Sequence, residues 1–515
     1  MGGHEIVLTA DRSLMSDYLC QPFLRGLRFA STSILHTPLF FRLVCPPVPA
    51  VEGGVASFAP YHTRRTEAAL LDYGFERGQV VVVAPDKVNR FIGPETRVIS
   101  ITTKDPLSMI HHYSLLNPLH RESYSSMAFR ELIKNPHLRR YGSKVVVEGP
   151  GAWQLADQKV LEKFSIDCVV VGEYPTTVIP PLFESMIRGE TTPSVVYSDY
   201  VDADSVPMIR GGVTEGLVEV ARGCNRRCRF CTVPRLRCRP IDDIIAEVKV
   251  NAEWGQHSIT LRSDDILNYK ANGVSVNHEA VISLYESVRK VDGVKRVGQC
   301  YFSLASAASE PALIAEISDI IGVGCREYPY TTGLTGIESG SSRMIGAHMP
   351  GKAKPFSPSD WADIVEQGFG VCNDSHWVPL GMLILGFPGE KEGDVTETLA
   401  LVERLRPYKS VLIPFVFKAK GALDRTESFE LKDMRRCHLE LVRAVFQHNV
   451  HWGKRLIREQ MATTPLLRWL IPFLTPFVSM GIERAYGRLW DEVVSASIDA
   501  PRVDALSSDS GRLPK

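Results

Sequence analysis

Residues 222–240 read RGCNRRCRFCTVPRLRCRP and hold four cysteines and seven arginines in nineteen positions. Cys224, Cys228 and Cys231 follow directly after LVEV (217–220), an apolar run typical of a strand. Three thiolates at spacings of four and three residues can each bind one iron of a cubane cluster and leave its fourth iron open. The stretch therefore predicts an iron-sulfur loop at the end of a strand.

A structural zinc ion is the alternative for this stretch, because such sites close with four ligands and Cys238 could supply the fourth. Cys238 lies just before Pro240, where a helix is predicted to begin. That position favours a buried thiol over a ligand. The loop arginines Arg226, Arg227 and Arg229 are expected to offset the negative charge of the thiolates and of a bound carboxylate.

Strand-like runs, each followed by a helical segment, continue from the cysteine stretch to about residue 425. They are LVEV (217–220), SITLRSDD (258–265), CYFSLAS (300–306), LTGIESG (334–340), PLGMLILG (379–386) and VLIPFVF (411–417). Such β-α units in succession predict a partial barrel over residues 215–425, a (β/α)6 arrangement. Sites in barrels of this kind form at the carboxyl ends of the strands.

A second series of apolar runs precedes the cysteines. It comprises HEIVLTA (4–10), VVVVAP (80–85), RVISITT (97–103), KVVVEG (144–149) and CVVVGE (168–173). Unbroken apolar runs are typical of strands covered on both faces, and helical segments between them predict a doubly wound, Rossmann-like parallel sheet over residues 1–190. The fold class is therefore α/β. Its ligand crevice is expected beyond the carboxyl ends of the strands, at loops 102–106, 148–154 and 172–177.

Two further parts complete the predicted domain organisation. Residues 191–214 are polar, contain Pro193 and the Gly211-Gly212 pair, and are predicted to be a linker. Residues 426–515 are predicted to form a helical C-terminal domain with an apolar segment.

The overall composition bounds the function. Lysine plus arginine number 59 and aspartate plus glutamate also number 59, so a broadly basic nucleic-acid binder is not indicated and no stable nucleic-acid partner is expected. Scattered cysteines and an N-terminus without a secretory pattern predict a cytoplasmic protein. The apolar stretch 465–480 contains Arg468, Pro472 and Pro476, so no transmembrane segment is predicted. It is expected to pack over a domain edge or to dock on lipid or a large partner.

The cysteine loop resembles that of the radical S-adenosylmethionine enzymes, whose three cysteines have this spacing and whose last cysteine follows an aromatic residue, here Phe230. The resemblance implies a [4Fe-4S] cluster on Cys224, Cys228 and Cys231. In that family the open iron binds S-adenosyl-L-methionine, and an electron from the cluster cleaves it to methionine and a 5'-deoxyadenosyl radical. An electron donor such as ferredoxin or flavodoxin is implied as a partner.

Further barrel segments match this family in order, and the resemblance implies their roles. Asp264 in RSDD would hold the methionine amino group, although the family's usual glycine-glycine-glutamate pattern is missing there. Glu338 and Ser341 in GIESGS would face the ribose and methionyl groups, and Arg343 would reach the carboxylate. The remaining residues assigned to S-adenosylmethionine are Phe230 in the cysteine loop, Ser303 in CYFSLAS, and Gly386 and Gly389 in LILGFPGE, where the backbone would approach the adenine.

The N-terminal sheet resembles the cobalamin-binding domain of the class B, cobalamin-dependent radical S-adenosylmethionine methyltransferases. The implied macrocycle contacts are Gly149, Gly151 and Trp153, and the implied contacts to its amide arms are Thr103, Asp105 and Glu173. The Asp-x-His-x-x-Gly signature of other cobalamin enzymes is absent, as it often is in this class. The alternative is a degenerate domain that no longer binds cobalamin.

The reaction implied by the resemblance is methylation of an unactivated sp3 carbon. One S-adenosylmethionine methylates cob(I)alamin, and the radical from a second abstracts hydrogen from the substrate, which then takes the methyl group. Possible pocket residues are Tyr269, Tyr301, Tyr328 and Tyr330. The stretches EIVLTADRSLMS (5–16), FIGPETRVISITTKDPL (91–107) and FVFKAKGALDRTE (415–427) resemble archaeal, methanogen members. That resemblance implies post-translational modification of a glutamine in methyl-coenzyme M reductase, with a protein or peptide substrate; a lipid or other small molecule is the alternative.

Two other functions stay open. A methylthiotransferase acting on tRNA or protein has a similar cysteine loop, but that family needs a second cluster, and only Cys20, Cys45 and Cys168 precede the loop. A zinc-bearing or cluster-bearing nucleic-acid-binding protein is the non-enzymatic alternative, and it predicts binding that weakens steeply with salt.

Overall fold

The structure is a computed structural model that describes residues 3–16, 18, 26, 28, 45–109, 115, 122–172, 177–198, 202–463 and 471–498. Several predictions fall outside these ranges. Glu173, Cys20, Arg468 and the last part of the predicted C-terminal domain, residues 499–515, are not among the described residues.

The N-terminal part is built on a parallel sheet with the strand order β3-β1-β4-β5-β6-β7. Its strands are β1 (Ile6–Ala10), β3 (Val80–Val82), β4 (Val98–Thr102), β5 (Lys144–Glu148), β6 (Cys168–Gly172) and β7 (Val195–Ser198), while β2 (Phe58–Ala59) lies outside it. The helices between them are α1 (Tyr61–Tyr73), α2 (Tyr124–Ile133), α3 (Gln158–Phe164) and α4 (Ile179–Ile187). The predicted strands and helices of this part are confirmed.

Both faces of this sheet are buried, which explains the unbroken apolar runs. On β1, Ile6 and Leu8 face one core cluster while Val7 faces the other. The chain changes its direction of winding between β1 and β4, which are neighbours although β3 lies between them in sequence. In doubly wound sheets the ligand crevice lies beyond the strand ends at such a switch point. The doubly wound class is therefore confirmed, and its crevice lies beside Asp11 and the 103–105 loop.

The predicted linker over 191–214 is wrong at two places. Val195–Ser198 forms β7 at the edge of the N-terminal sheet, and Gly212–Val213 forms β8, which pairs with β2. Both strands are short and carry at most two adjacent branched apolar residues, so no periodicity in the sequence marks them.

The second part is a partial barrel made of two parallel three-stranded sheets, β9-β12-β13 and β14-β15-β16, which meet at a bridge between Tyr301 and Leu334. The strands are β9 (Leu217–Glu219), β12 (Ser258–Arg262), β13 (Arg296–Gln299), β14 (Thr331–Glu338), β15 (Trp377–Leu385) and β16 (Val411–Val416). The helices are α5 (Ile241–Glu253), α6 (His278–Arg289), α7 (Leu304–Ser309), α8 (Pro311–Ile321), α9 (Ser342–His348), α10 (Pro350–Ala353), α11 (Trp361–Asp374) and α12 (Glu392–Arg404). The partial barrel of six β-α units is confirmed.

The third barrel strand differs from its predicted position. The run 300–306 was expected to be the strand, but β13 ends at Gln299 and α7 begins at Leu304. Arg296–Gln299 reads RVGQ, in which Val297 is the one strongly apolar residue, so the strand has no apolar pattern in the sequence. As a consequence Ser303 caps a helix instead of ending a strand.

The C-terminal region is helical, as predicted, with α13 (Arg436–Met461) and α14 (Ile471–Ile498). Phe446 of α13 packs against the rings of Tyr486 and Trp490 of α14. Asn449 of α13 hydrogen-bonds both the N–H and the carbonyl oxygen of Leu412 on β16. Across the described ranges, the structure contains no helix that combines the length and apolarity needed to cross a bilayer.

Candidate cluster and cosubstrate site

The cysteine loop projects from the carboxyl end of the first barrel strand. A short antiparallel pair, β10 (Ala221–Arg222) with β11 (Arg237–Cys238), closes the loop at its base. Gly223 has a φ of +96°, and a Cβ at this position would lie 2.1 Å from the carbonyl oxygen of Arg235. Only glycine therefore lets the two ends of the loop approach this closely.

The three cysteines lie in a setting that suits thiolate ligands. Cys224 and Cys228 are half-buried and Cys231 is exposed. Backbone N–H groups donate to two of the sulfurs, Arg226 to Cys224 Sγ at 3.4 Å and Val233 to Cys231 Sγ at 3.5 Å. Burial raises the pKa of all three thiols, while nearby cations, Arg226 for Cys224 and Lys352 for Cys228 and Cys231, oppose this rise. Hydrogen bonds to sulfur and adjacent positive charge are the means by which proteins stabilise iron-sulfur clusters.

The positions of the cysteines distinguish a closed zinc site from an open iron-sulfur cluster. Within the described ranges, no three His, Cys, Asp or Glu side chains converge on one point as a single metal ion requires. A cubane cluster needs a different arrangement, because each cysteine binds its own iron around a shared volume. Cys238 lies on β11, where its sulfur accepts a hydrogen bond from the N–H of Lys270 at 3.2 Å. The residues present therefore fit a cluster on three cysteines better than a closed four-ligand zinc site.

Arg226 anchors the loop to the barrel. Its guanidinium donates to the carbonyl oxygens of Lys352 and Lys354, both at 2.9 Å, and to Ser306 Oγ at 2.7 Å. Its Nε lies 3.5 Å from the carboxylate of the buried Asp265. Arg226 was expected only to offset charge, and the structure shows that it also fixes the position of the loop.

Asp264 and Ser303 both make local contacts. Asp264 Oδ2 accepts a hydrogen bond from Gly223 N–H at 2.7 Å, so this carboxylate steadies the start of the cysteine loop. Ser303 is the N-cap of α7, and its own N–H donates to Asp265 Oδ1 at 3.1 Å. The acid that links these segments is Asp265, which the sequence interpretation did not single out.

Glu338 lies at the end of β14, beside the loop. Its Oε1 is 2.9 Å from Lys352 Nζ, and the two side chains are 8% and 13% exposed. Lys352 was not identified from the sequence, because it lies on α10, beyond the strand that ends at Glu338, and belongs to no motif.

Ser341 and Arg343 meet on one carboxylate, that of Asp394. Ser341 Oγ donates to Asp394 Oδ1 at 2.6 Å, and Arg343 Nε donates to the same oxygen at 3.1 Å. Burial opposes ionisation of Asp394, but the hydrogen bonds from Arg343 and Ser341 lower its pKa overall. The predicted cosubstrate contacts of Ser341 and Arg343 are thus engaged within the protein, and Asp394 was missed because it lies on α12.

The glycine-rich segment after β15 is packed against the C-terminal region. Gly386 has a φ of +81°, and a Cβ there would lie 2.0 Å from the ring of Phe429. Gly389 has a φ of +75° with open space around it, and its carbonyl oxygen accepts from Arg343 at 2.8 Å. The glycine at 386 is therefore required by Phe429. Phe230 packs edge-on against Phe387, with ring centroids 5.4 Å apart.

The residues assigned to cobalamin gather at the carboxyl edge of the N-terminal sheet. Thr103 is buried, and its Oγ1 has no hydrogen-bond partner within the part of the chain that the structure describes. Asp105 accepts from Gln154 Nε2 at 2.9 Å. A Cβ on Gly151 would lie 2.3 Å from the carbonyl oxygen of Lys104, and Gly149 is similarly close to Thr103, so close packing of two loops accounts for both glycines. The switch point in the strand order and the Thr103 hydroxyl without a partner among the described residues fit a bound polar cofactor. The two glycines are explained by loop packing alone and are not evidence for a cofactor.

Two contacts bring this edge to the barrel. The ring of Trp153, 38% exposed, lies 5.3 Å from Lys420 Nζ in the segment after β16. In the same segment, the N–H of Ala422 donates to the carbonyl oxygen of Arg229 in the cysteine loop at 2.7 Å. The carboxyl edges of the two sheets therefore lie near each other.

Three of the four tyrosines considered as pocket groups hydrogen-bond backbone carbonyl oxygens. Tyr269 donates to Arg239 at 3.0 Å, Tyr328 to Val297 at 2.8 Å and Tyr330 to Leu456 at 2.9 Å. Burial raises the pKa of the fourth, Tyr301. Tyr301 lies at the bridge between the two barrel sheets.

Comparison with known proteins gives relatives of two kinds. No family model matches the chain. Curated relatives named tRNA-2-methylthio-N(6)-dimethylallyladenosine synthase come from Methylococcus capsulatus (27% identical), Alkalilimnicola ehrlichii (26%) and Magnetococcus marinus (28%). The alignments cover 49%, 67% and 56% of this chain and 53%, 74% and 64% of those relatives.

Among solved structures, the radical S-adenosylmethionine methyltransferase TsrM from Kitasatospora setae, with cobalamin and a [4Fe-4S] cluster bound, has a TM-score of 0.48 at 14% identity and covers 80% of this chain and 72% of its own. The cobalamin-dependent S-adenosylmethionine radical enzyme OxsB has a TM-score of 0.46 at 12% identity, with coverage of 86% and 56%. The chain therefore has a loop of three cysteines at the end of its first barrel strand, and it is similar in sequence to proteins named as tRNA methylthiolation synthases.

Proposed function

We propose that the chain is a cobalamin-dependent radical S-adenosylmethionine C-methyltransferase. The observation that carries this proposal is the cysteine loop at the carboxyl end of β9, in which two sulfurs accept backbone hydrogen bonds and Arg226 fixes the loop to the barrel. Residues 215–425 would hold the [4Fe-4S] cluster and S-adenosyl-L-methionine, and residues 1–190 would hold cobalamin.

When bound, the cluster with S-adenosylmethionine supplies a 5'-deoxyadenosyl radical, and cobalamin supplies a methyl group. The chain's own residues bind and orient the cofactors and the substrate, and they exclude water from the site. Cys224, Cys228 and Cys231 would hold the cluster, and Glu338 lies nearby as a carboxylate for a ribose hydroxyl. The ring of Phe230, within the loop, packs against Phe387 in the segment after β15.

The cobalamin part of the proposal is supported by topology. The switch point between β1 and β4 opens a crevice at the edge where Thr103 and Asp105 lie. The Trp153–Lys420 contact places this edge beside the segment that touches the cysteine loop. A methyl donor and a radical source must act on one substrate carbon, so two sheets whose carboxyl edges lie near each other suit this chemistry.

The finer proposal concerns the substrate. Resemblance to methanogen members supports methylation of a glutamine side chain in methyl-coenzyme M reductase, in the cytoplasm, with reduction by a ferredoxin or flavodoxin. A peptide would have to enter as an extended segment between the two crevices.

Anaerobic reconstitution tests the main proposal. The wild-type chain supplied with cobalamin should hold about four irons and show a corrin absorption band, and after reduction with dithionite it should release 5'-deoxyadenosine from S-adenosylmethionine. Cys228→Ala should lose the iron and the product. Cys238→Ala is the matched control and should keep both. A wild-type chain without a corrin band would contradict the cobalamin assignment.

Methylthiolation of tRNA is the second candidate, and the curated relatives favour it. A second cluster would need further cysteines. Cys45 and Cys168 are both fully buried, with Cys45 Sγ hydrogen-bonded to the carbonyl oxygen of Arg12 and Cys168 inside β6. About eight irons per chain after reconstitution, with methylthiolated tRNA as product, would establish this candidate over the first.

A further inference from the structure

Glu338 has a backbone conformation that a non-glycine residue rarely adopts. Its φ is +64°, in the left-handed region, and the pairing of β14 with β15 shifts register between Gly336 and Glu338. A residue other than glycine is strained in this region, because its Cβ approaches the following carbonyl oxygen. Such strain persists where surrounding contacts hold it, and it concentrates at functional sites. The contact that holds Glu338 is its ion pair with Lys352.

The strand is shaped to accommodate this ion pair. A Cβ on Gly336 would lie 2.0 Å from Glu338 Oε1 and 2.5 Å from Lys352 Nζ. The pair therefore occupies the space that any other residue at 336 would fill. The bulge, the left-handed residue and the glycine together turn the Glu338 carboxylate onto the lysine.

The backbone of Lys352 is fixed from the cysteine loop. Arg226, two residues after Cys224, donates to the Lys352 carbonyl oxygen at 2.9 Å. A Cβ on Gly351 would lie 2.1 Å from the carbonyl oxygen of Arg226, so these two segments are in direct backbone contact. Lys352 therefore lies beside the loop that carries Cys224 and Cys228. Although burial opposes it, the Glu338 carboxylate raises the pKa of Lys352, so its ammonium stays charged.

We propose that Lys352 is a positioning residue that holds Glu338 in its bulged conformation and sets the reduction potential of the cluster on Cys228. The second part rests on the proposed function. Positive charge near a cluster stabilises its reduced, more negative state, and burial strengthens this effect because screening is weak. Lys352 and Glu338 lie together, so they must act on the cluster with opposite signs.

The test is a redox titration of the anaerobically reconstituted full chain, followed by the EPR signal of the reduced cluster. Lys352→Met removes the cation and leaves the Glu338 carboxylate, so the midpoint potential should become more negative. At a fixed potential the ratio of reduced to oxidised cluster should fall about tenfold, which is ~59 mV for a one-electron couple. Glu338→Gln should shift the potential to a more positive value. Lys352→Arg, which keeps the charge, should stay nearest to the wild type.

A neighbouring lysine provides the matched control. Lys354 is exposed and lies two positions further along, so Lys354→Met makes the same charge change away from the pair and should leave the potential unchanged. Equal shifts for Lys352→Met and Lys354→Met would overturn the inference. So would shifts of the same sign for Lys352→Met and Glu338→Gln, because general damage to the site has no dependence on charge.

Failure of the proposed function gives a different result. A wild-type chain that shows no [4Fe-4S] signal would defeat the proposed function itself, whereas a normal wild-type signal without opposite shifts defeats only the role of Lys352. If Lys352→Met assembles no cluster, Glu338→Gln still decides the matter, since a potential that does not rise overturns the inference.

Discussion

The carboxylate of Glu247 lies 2.8 Å from the guanidinium of Arg65, and the side chains are 0% and 2% exposed. Arg65 belongs to α1 of the N-terminal part and Glu247 to α5, the first helix of the barrel. The other carboxylate oxygen of Glu247 lies 2.9 Å from Arg239. One buried acid thus pairs with a buried arginine from each part of the chain, Arg65 from the N-terminal part and Arg239 from the barrel.

Removing that acid should strongly destabilise the chain. Glu247→Ala leaves two buried guanidinium groups without their carboxylate, and loss of one partner of a buried pair costs about 3–5 kcal/mol. Urea unfolding of the cofactor-free chain measures the change. Glu253→Ala, at an exposed position of the same helix, should change the free energy of unfolding by less than about 0.5 kcal/mol. Similar losses for both variants would show that the pair does not join the two parts.

Asp394 should make stability depend on acid pH. Its pKa is lowered in the folded chain, so its contribution is fully present above the unfolded value near 4. The contribution is lost as the pH falls through the lower, folded pKa. The difference in unfolding free energy between the wild type and Asp394→Asn should therefore shrink as the pH falls below about 4. A difference that stays constant over this range would contradict the network with Ser341 and Arg343.

Asp11 should show the opposite dependence. Burial raises its pKa to about 6, against hydrogen bonds from Ser13 that lower it. A raised pKa contributes stability that is present below the unfolded value and is lost as the pH rises through about 6. Asp11→Asn keeps an oxygen that can accept from Ser13, and it should become more stable than the wild type as the pH rises from about 4 to 7. Thermal unfolding of both proteins across this pH range measures the difference in stability. A difference that does not change with pH would contradict this prediction.

Two glycines of the segment after β15 separate backbone strain from steric contact. Both have positive φ, but a Cβ on Gly389 meets open space and a Cβ on Gly386 meets Phe429. Gly389→Ala should cost about 1–2 kcal/mol from strain alone. Gly386→Ala should cost about 1–3 kcal/mol more because of overpacking. Urea unfolding measures the free energy of unfolding of both glycine variants. In a Phe429→Ala background, the excess cost of Gly386→Ala should disappear. Equal costs for Gly386→Ala and Gly389→Ala would mean that Phe429 does not require glycine at position 386.

Much of the fold could be predicted because the central strands are unbroken apolar runs. β5, with its KVVVE sequence, is buried on both faces, and a run of this kind is visible without knowledge of its neighbours. β13 could not be found in this way, since most of its four residues are polar or glycine and it is held by pairing with β12. Pairing of this kind depends on distant residues and leaves no local pattern.

The residues of the site that form a local pattern could likewise be predicted, and those that depend on distant contacts could not. Cys224, Cys228 and Cys231 were found because the ligands of the site lie within one loop and their spacing is itself the signal. Lys352 and Asp394 were missed because each contacts a motif from a different helix. Gly386 was recognised as a place of close approach, but the group that approaches it, Phe429, could be identified only from the structure.

The hydrogen bond from Ala422 to Arg229 also has a consequence for biogenesis. Ala422 follows the last barrel strand, so the ribosome synthesises it long after the cysteines have emerged. This contact can therefore form only after all six barrel strands have been synthesised. A nascent chain that ends before residue 422 carries the three cysteines but lacks this support for their loop.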